Sequence, residues 1–227
     1  MCGRFNVTDS PGLQQLLRDL GIDLSLPQAL NQAPTEQASL VRLQAQGPTV
    51  DSARWWLTPS WAEEVNQKYS MFNARSETLT KSAAFRGPFR RQRGLVPMSS
   101  FIEWRSEEGA KQPWLITNES QAFAVAALWD VWEGEGEASP LLSCTLVTTA
   151  AAGAFKPWHQ RMPVFLAPNE REPWLDNSHP ISSDDAIFRS DLKTPLLLTP
   201  LDRALSNARN KTSSVLVAAG KPIALSG

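Results

Sequence analysis

The sequence predicts an α+β fold: one domain with a curved, largely antiparallel β-sheet and a barrel-like core, flanked by short helices. Three observations carry this expectation. One early segment has clear helical spacing, several longer runs have the alternation or β-branched density of strands, and no repeat, low-complexity tract or linker divides the 227 residues. Hydrophobic residues make up 42% of the chain, enough for one large core, and seventeen prolines spread along it imply many fixed turns.

The elements follow in chain order. Ser10–Leu20, SPGLQQLLRDL, offers a Ser cap, a Pro at the first helical position, Leu13, Leu16, Leu17 and Leu20 on one face, and Gly21 as a stop. NQAPTEQASLVRLQ reads as a turn into a strand, and DSARWWLTPSWAEE as a second strand ending at Pro59. The polar stretch beginning at YSMFNARSET reads as loop, with a short helix near Lys81–Phe85, followed by a strand over LVPMSSFIEW. PWLITN and QAFAVAALWDVW read as a strand pair. The acidic Gly-rich loop EGEGEASP leads to the strand LLSCTLVTTA, and the segments after Pro168 mix short helices with strands.

Composition excludes several function classes. A net charge of −1 argues against a general basic field for coating duplex DNA, so any nucleic-acid contact must be local. Two cysteines make no disulfide framework, and the segment after Met1 lacks a signal-peptide pattern, which points to a reducing, cytoplasmic location. No run approaches the roughly 20 apolar residues of a membrane span. Cysteines and histidines are too few for a zinc site of usual ligand count, so no metal and no cofactor are expected. Nine tryptophans against one tyrosine serve either as core filler or as faces for stacking bases.

Cys2 has two readings. Ends of chains are commonly dispensable. Removal of Met1, however, would put an α-amine (pKa about 7.7–8.0) and a thiol (about 8.5) on one carbon, giving a 1,2-aminothiol that condenses with an aldehyde to an imine and closes to a thiazolidine. His159, in PWHQRMPVF, suits proton transfer or a structural loop role. Glu103, in SSFIEWR, shares a strand face with Phe101 while Ile102 and Trp104 take the other; it is either an acid/base with a raised pKa or a water-facing edge residue. Asn73, Arg75 and Glu77 form a polar wall or a surface salt-bridge strand. In FRGPFRRQRG, the arginines Arg86, Arg90, Arg91 and Arg93 interleave with Phe85 and Phe89, a pattern that suits a single strand as well as a solvated face.

Taken together, MCGRF, NQAP, WWLTPSW, NARSET, LVPMSSFIEW, LVTTAAA, HQRMP and DRALSNARN resemble the SOS-response-associated peptidase (SRAP) family, whose members crosslink themselves to abasic sites in single-stranded DNA. The motifs come in family order over nearly the whole chain. The resemblance implies the SRAP fold and Cys2 as nucleophile, with Asn73 positioning it, Glu103 shuttling protons and His159 acting as acid or base on the sugar. It further implies that Arg4, Arg75 and Arg161 hold phosphates, that Trp61 and Trp104 support a bent strand, and that Thr148 lines the pocket beside His159. The chain departs from the family pattern with Trp56, Gly94 and Ser100. It also lacks the basic residue sometimes found near Ala83, for which Arg86 or Lys81 would substitute. The implied partner is single-stranded DNA containing abasic sites, with a monomer as the default state.

Three rivals stay open at this point. A class II amidotransferase also begins Cys-Gly, a thiol peptidase would use Cys2 with Glu103 and His159, and a plain single-strand-binding module would leave Cys2 incidental.

Overall fold

The leucine stripe after Ser10 folds as the spacing requires. In the computed structural model, which describes residues 2–65, 68–107, 109–120, 122–134 and 140–226, helix α1 (Pro11–Asp19) is capped by the Ser10 hydroxyl, which accepts from the Leu13 amide. Gly21, at φ +73°, turns the chain out of the helix. Leu13, Leu16 and Leu17 are buried. Met1 and residues 135–139 of the acidic loop lie outside the described residues.

Two sheets organise the rest. Strands β1 (Arg4–Val7), β2 (Ala29–Gln32), β3 (Gln37–Gln44), β4 (Gly47–Trp55) and β5 (Asn73–Arg75) precede helix α2 (Arg86–Arg91). Strands β6 (Arg93–Met98), β7 (Ser100–Glu107), β8 (Ala110–Asn118), β9 (Phe123–Trp132), β10 (Leu141–Ala150) and β11 (Arg161–Pro163) follow. Helix α3 (Pro168–Leu175) and strands β12 (Leu196–Pro200) and β13 (Ile223–Leu225) complete the chain. Strands β10, β4, β3, β6 and β9 close into a five-stranded barrel, because β9 pairs back onto β10. The second sheet runs β13-β12-β8-β7-β1-β2. The barrel-like, largely antiparallel core is thus present; the β4–β10 and β5–β10 contacts are its parallel exceptions.

Three local expectations are corrected. LVPMSSFIEW is two strands, because Ser99 breaks it. The Ser99 amide and hydroxyl both donate to the Asn6 carbonyl, at 2.9 and 3.0 Å, so the chain leaves the barrel there and enters the second sheet. PWLITN and QAFAVAALWDVW do not pair with each other: β8 lies between β7 and β12, whereas β9 lies between β6 and β10. Alternation identifies a strand but not its neighbour. The short helix falls at Arg86–Arg91, after turns over 79–85, and buries Pro88 and Phe89.

Most tryptophans are core filler. Trp55 and Trp174 are fully buried, and their indole N–H groups donate to the Phe72 and Gly94 carbonyls at 2.8 and 2.7 Å. Gly94 is required by close approach: a Cβ there would lie 2.8 Å from the Val41 carbonyl oxygen, with Trp129 at 3.3 Å. Trp61, 64% exposed, is the clear exception. No helix among the described residues is long and apolar enough to cross a membrane.

Candidate active site around Cys2

The far half of β10 is the spine of the site. Beyond its barrel pairing it takes β5 on one edge, with Asn73 opposite Leu146 and Arg75 opposite Thr148, and β11 on the other, with Arg161 opposite Ala150. Residues separated by almost ninety positions in sequence therefore flank one strand. The central strand β7 supplies Glu103, and β1, its neighbour, begins two residues after Cys2.

Cys2 is not a frayed end. It is 1% exposed, and the Asn73 side-chain amide donates to its carbonyl oxygen at 2.9 Å. A carbonyl can only accept, so this bond fixes the Asn73 amide orientation. The other amide atom, Oδ1, is then a buried acceptor without a partner among the described residues. The Cys2 thiol lies 3.8 Å from the Arg4 carbonyl, and burial, with Glu103 nearby, pushes its pKa far up.

Glu103 is 3% exposed on a strand flanked on both sides, which rules out a water-facing edge residue. Phe101 shares the main core, while Ile102 and Trp104 pack in a second cluster with Leu201 and Leu205, so the alternation is as expected. Burial raises the Glu103 carboxyl, with the His159 imidazole pulling partly the other way. Because the folded state holds its proton more tightly than the unfolded chain does, Glu103 lowers stability as pH rises through its folded pKa. Glu103→Gln removes that loss. We expect its melting temperature to match the wild type in acid and to exceed it above neutral pH; a thermal-unfolding series over pH checks this.

The Arg161 backbone sets the His159 ring. Its amide donates to Nδ1 at 2.9 Å, and its carbonyl oxygen lies 3.0 Å from the same nitrogen. An amide N–H can only donate, so the neutral ring carries its proton on Nε2, and protonated Nδ1 would find the carbonyl in place. The Arg161 guanidinium forks onto Glu77 at 2.5 and 2.9 Å and reaches the Thr148 carbonyl at 2.7 Å. That pairing holds the Glu77 carboxyl below its ordinary range. Glu77 thus partners Arg161 rather than Arg75, which stays exposed. Thr148 is fully buried and supports Arg161 from behind, its hydroxyl donating to the Ala74 carbonyl at 3.3 Å.

Arg4 and Trp104 form a second group, with the guanidinium 5.5 Å from the indole centroid. Burial lowers the Arg4 pKa while Glu36 acts to raise it, and Glu36 in turn binds Lys211 at 2.7 Å. Glu36 and Lys211 carry no local sequence signal, because only the fold brings residue 211 to residue 36. Trp61 and Arg86 line a separate cavity of about 350 Å³ whose walls include none of Cys2, Asn73, Glu103 or His159. Arg93 leaves the basic set altogether: it is fully buried, donating to the carbonyls of Phe89, Arg90, Trp174, Asp176 and His179. Among the described residues, no group of three His, Cys, Asp or Glu is placed to hold a metal ion.

A family model described as SOS response associated peptidase (SRAP) matches residues 1–208. The chain belongs to the SRAP family. Among relatives, it is 34% identical over 183 residues to abasic site processing protein YoaM of Bacillus subtilis, covering 78% of this chain and 79% of that one. It is 32% identical over 209 residues to YoqW of the same organism, an abasic site processing protein by name, covering 89% and 88%. A crystal structure of a protein from Bacteroides thetaiotaomicron superposes with a TM-score of 0.80 at 18% identity, covering 95% of this chain and 99% of that one. The fold of this SRAP chain is therefore shared well beyond recognisable sequence similarity.

Proposed function

We propose that this protein processes abasic sites in single-stranded DNA, capturing the lesion covalently through Cys2 once Met1 is removed. The observation that carries the reading is the Asn73–Cys2 hydrogen bond, which anchors the buried Cys2 backbone where the thiol feels the Glu103 charge and Glu103 in turn feels His159. Family membership and the names of the relatives support the substrate class.

The chemistry runs amine first, because burial keeps the Cys2 thiol protonated. The α-amine attacks C1′ of the ring-opened sugar aldehyde, and loss of water gives an imine. The S–H bond then adds across C=N, sulfur to carbon and proton to nitrogen, closing the thiazolidine. Glu103, kept protonated closer to neutral pH by burial, supplies the proton for the departing water. His159 Nε2 serves as acid or base at the sugar ring oxygen during opening and reversal. The free Oδ1 of Asn73 is an acceptor for the Cys2 amine or the opened sugar's hydroxyl. Arg4 and Arg75 anchor phosphates and Trp104 backs the strand. Arg161, already spent on Glu77 and Thr148, mainly holds the wall and reaches a phosphate only beside them. Release of Met1 is the one peptide cleavage this reading requires, and reversal of the adduct is its lyase direction.

The test is intact mass after incubation with a single strand carrying one abasic site. The expected product is protein plus oligonucleotide minus one water, stable to denaturant. An extension retained ahead of Cys2 should abolish it; equal crosslinking by the extended protein would overturn the aminothiol mechanism.

A further inference from the structure

Arg4 stands two residues after Cys2, and no ion pair among the described residues takes up its charge. Its guanidinium lies 5.5 Å from the centre of the Trp104 indole, and its Nε is a buried donor without a partner among the described residues. A half-buried guanidinium so placed gains from any anion within reach. Inside the protein that anion is Glu36, whose charge favours the charged form of Arg4 against the effect of its burial. The two nevertheless do not pair. Glu36 Oε2 accepts from the Lys211 ammonium at 2.7 Å and from the Ala33 amide at 2.9 Å, and only the first of these donors carries a charge.

The fold sets Lys211 in place through Asn31. Lys211 Nζ also donates to the Asn31 carbonyl at 2.8 Å. The Asn31 side-chain amide donates to the carbonyls of Leu205, Asn207 and Asn210 at 3.2, 3.1 and 3.1 Å, so one fully buried residue gathers the turns that lead to Lys211. Asn31 is held in turn by its backbone amide, which donates to Asn6 Oδ1 at 2.7 Å. Asn6 lies on β1, two residues beyond Arg4. The strand that carries Arg4 therefore also fixes, through Asn6 and Asn31, the lysine that occupies Glu36. Lys211 comes after the residues matched by the family model, 1–208.

We infer that Lys211 is a positioning residue for Arg4: it holds the Glu36 charge away from the Arg4 guanidinium, which stays open to a phosphate of the strand bound at Cys2. The inference rests on the proposed capture of abasic single strands, in which Arg4 anchors a phosphate. An arginine paired with a carboxylate must lose that partner before it takes a phosphate, and an unbalanced carboxylate beside it repels the strand. Lys211 removes both obstacles by acting on Glu36. The Lys211 and Glu36 side chains are each 39% exposed, so solvent screens the pair and the effect is moderate.

The test follows the rate of adduct formation by the full-length protein, Met1 removed, against the concentration of a single strand carrying one abasic site. Lys211→Met should raise the half-saturating concentration about fivefold, and Lys211→Arg, which keeps the charge, should not. The deciding variant is Lys211→Met/Glu36→Gln, which removes the anion together with its cation. It should return the half-saturating concentration to within about twofold of the wild type, although the bond from Lys211 to Asn31 is still missing. A lysine that only braced the turns after Leu205, or that gripped the strand itself, leaves the double variant as impaired as Lys211→Met. That outcome overturns the inference, as does a Lys211→Met protein with wild-type half-saturation. A crystal structure of Lys211→Met reads the same contact without DNA: Glu36 and Arg4 should close to within about 4 Å, and a carboxylate that stays apart from Arg4 also overturns it. Wild-type protein that yields no adduct, with this closure present in Lys211→Met, would sink the capture chemistry and leave the hold of Lys211 on Glu36 standing.

Discussion

Cys2→Ala should eliminate the denaturant-resistant adduct with abasic single-stranded DNA, because the sulfur that closes the ring is gone and loss of a nucleophile alone costs on the order of a millionfold in rate. Cys2→Ser sharpens the result. Both variants keep a small residue after Met1 and so keep a free α-amine, which still forms the imine. Neither has a sulfur to close the ring. Borohydride should therefore trap an adduct from either variant in a form that the untreated mixture lacks, whereas the wild-type adduct needs no trapping. A stable, untrapped adduct from Cys2→Ala would remove the thiol from the mechanism. Because Asn73 holds the backbone carbonyl of residue 2 and not its side chain, both variants should keep the local geometry.

The largest effect on stability should come from a residue remote from that chemistry. Arg93→Met is expected to cost about 3–5 kcal/mol, because it strips buried carbonyls of their donor at once. For a chain of this size that lowers the melting temperature by roughly 6–20 °C. Arg93 reaches the Trp174 carbonyl at 2.8 Å, the Phe89 and Arg90 carbonyls at 3.0 and 3.3 Å, and the His179 carbonyl at 2.9 Å, with Asp176 closer still. It thereby ties together the ends of α2 and α3. Arg93→Lys should recover only part of the loss, since an ammonium has three donors and no planar fork. Equal melting temperatures for wild type and Arg93→Met, by calorimetry, would contradict this role.

Arg93 also marks how far local pattern could be read. In FRGPFRRQRG it looks like its three neighbouring arginines, yet they face solvent and it is fully enclosed. Charge and aromatic spacing describe a stretch of chain; which residue turns inward depends on the carbonyls that α3 brings from eighty positions away. The strand pairing was hidden for a similar reason. PWLITN and QAFAVAALWDVW each carry strand character, but Ser99 routes β7 and β8 into one sheet while β6 and β9 stay in the barrel. By contrast α1 was fully legible, because its cap, its leucine face and its stop all lie within twelve residues.

The candidate site divides along the same line. The identities of Cys2, Asn73, Glu103 and His159, and their membership of one family, were set by motifs whose residues stand side by side in the chain. The state of each group was not. Burial of Glu103, the orientation of the Asn73 amide, the tautomer of His159 and the engagement of Arg161 by Glu77 arise from β5, β7 and β11 meeting around β1 and β10. Sequence by itself determined which chemical groups this protein has and in what local order. Only the tertiary structure decided their desolvation and their partners, because both are properties of neighbours in space, and β-sheet neighbours here come from positions up to a hundred residues apart.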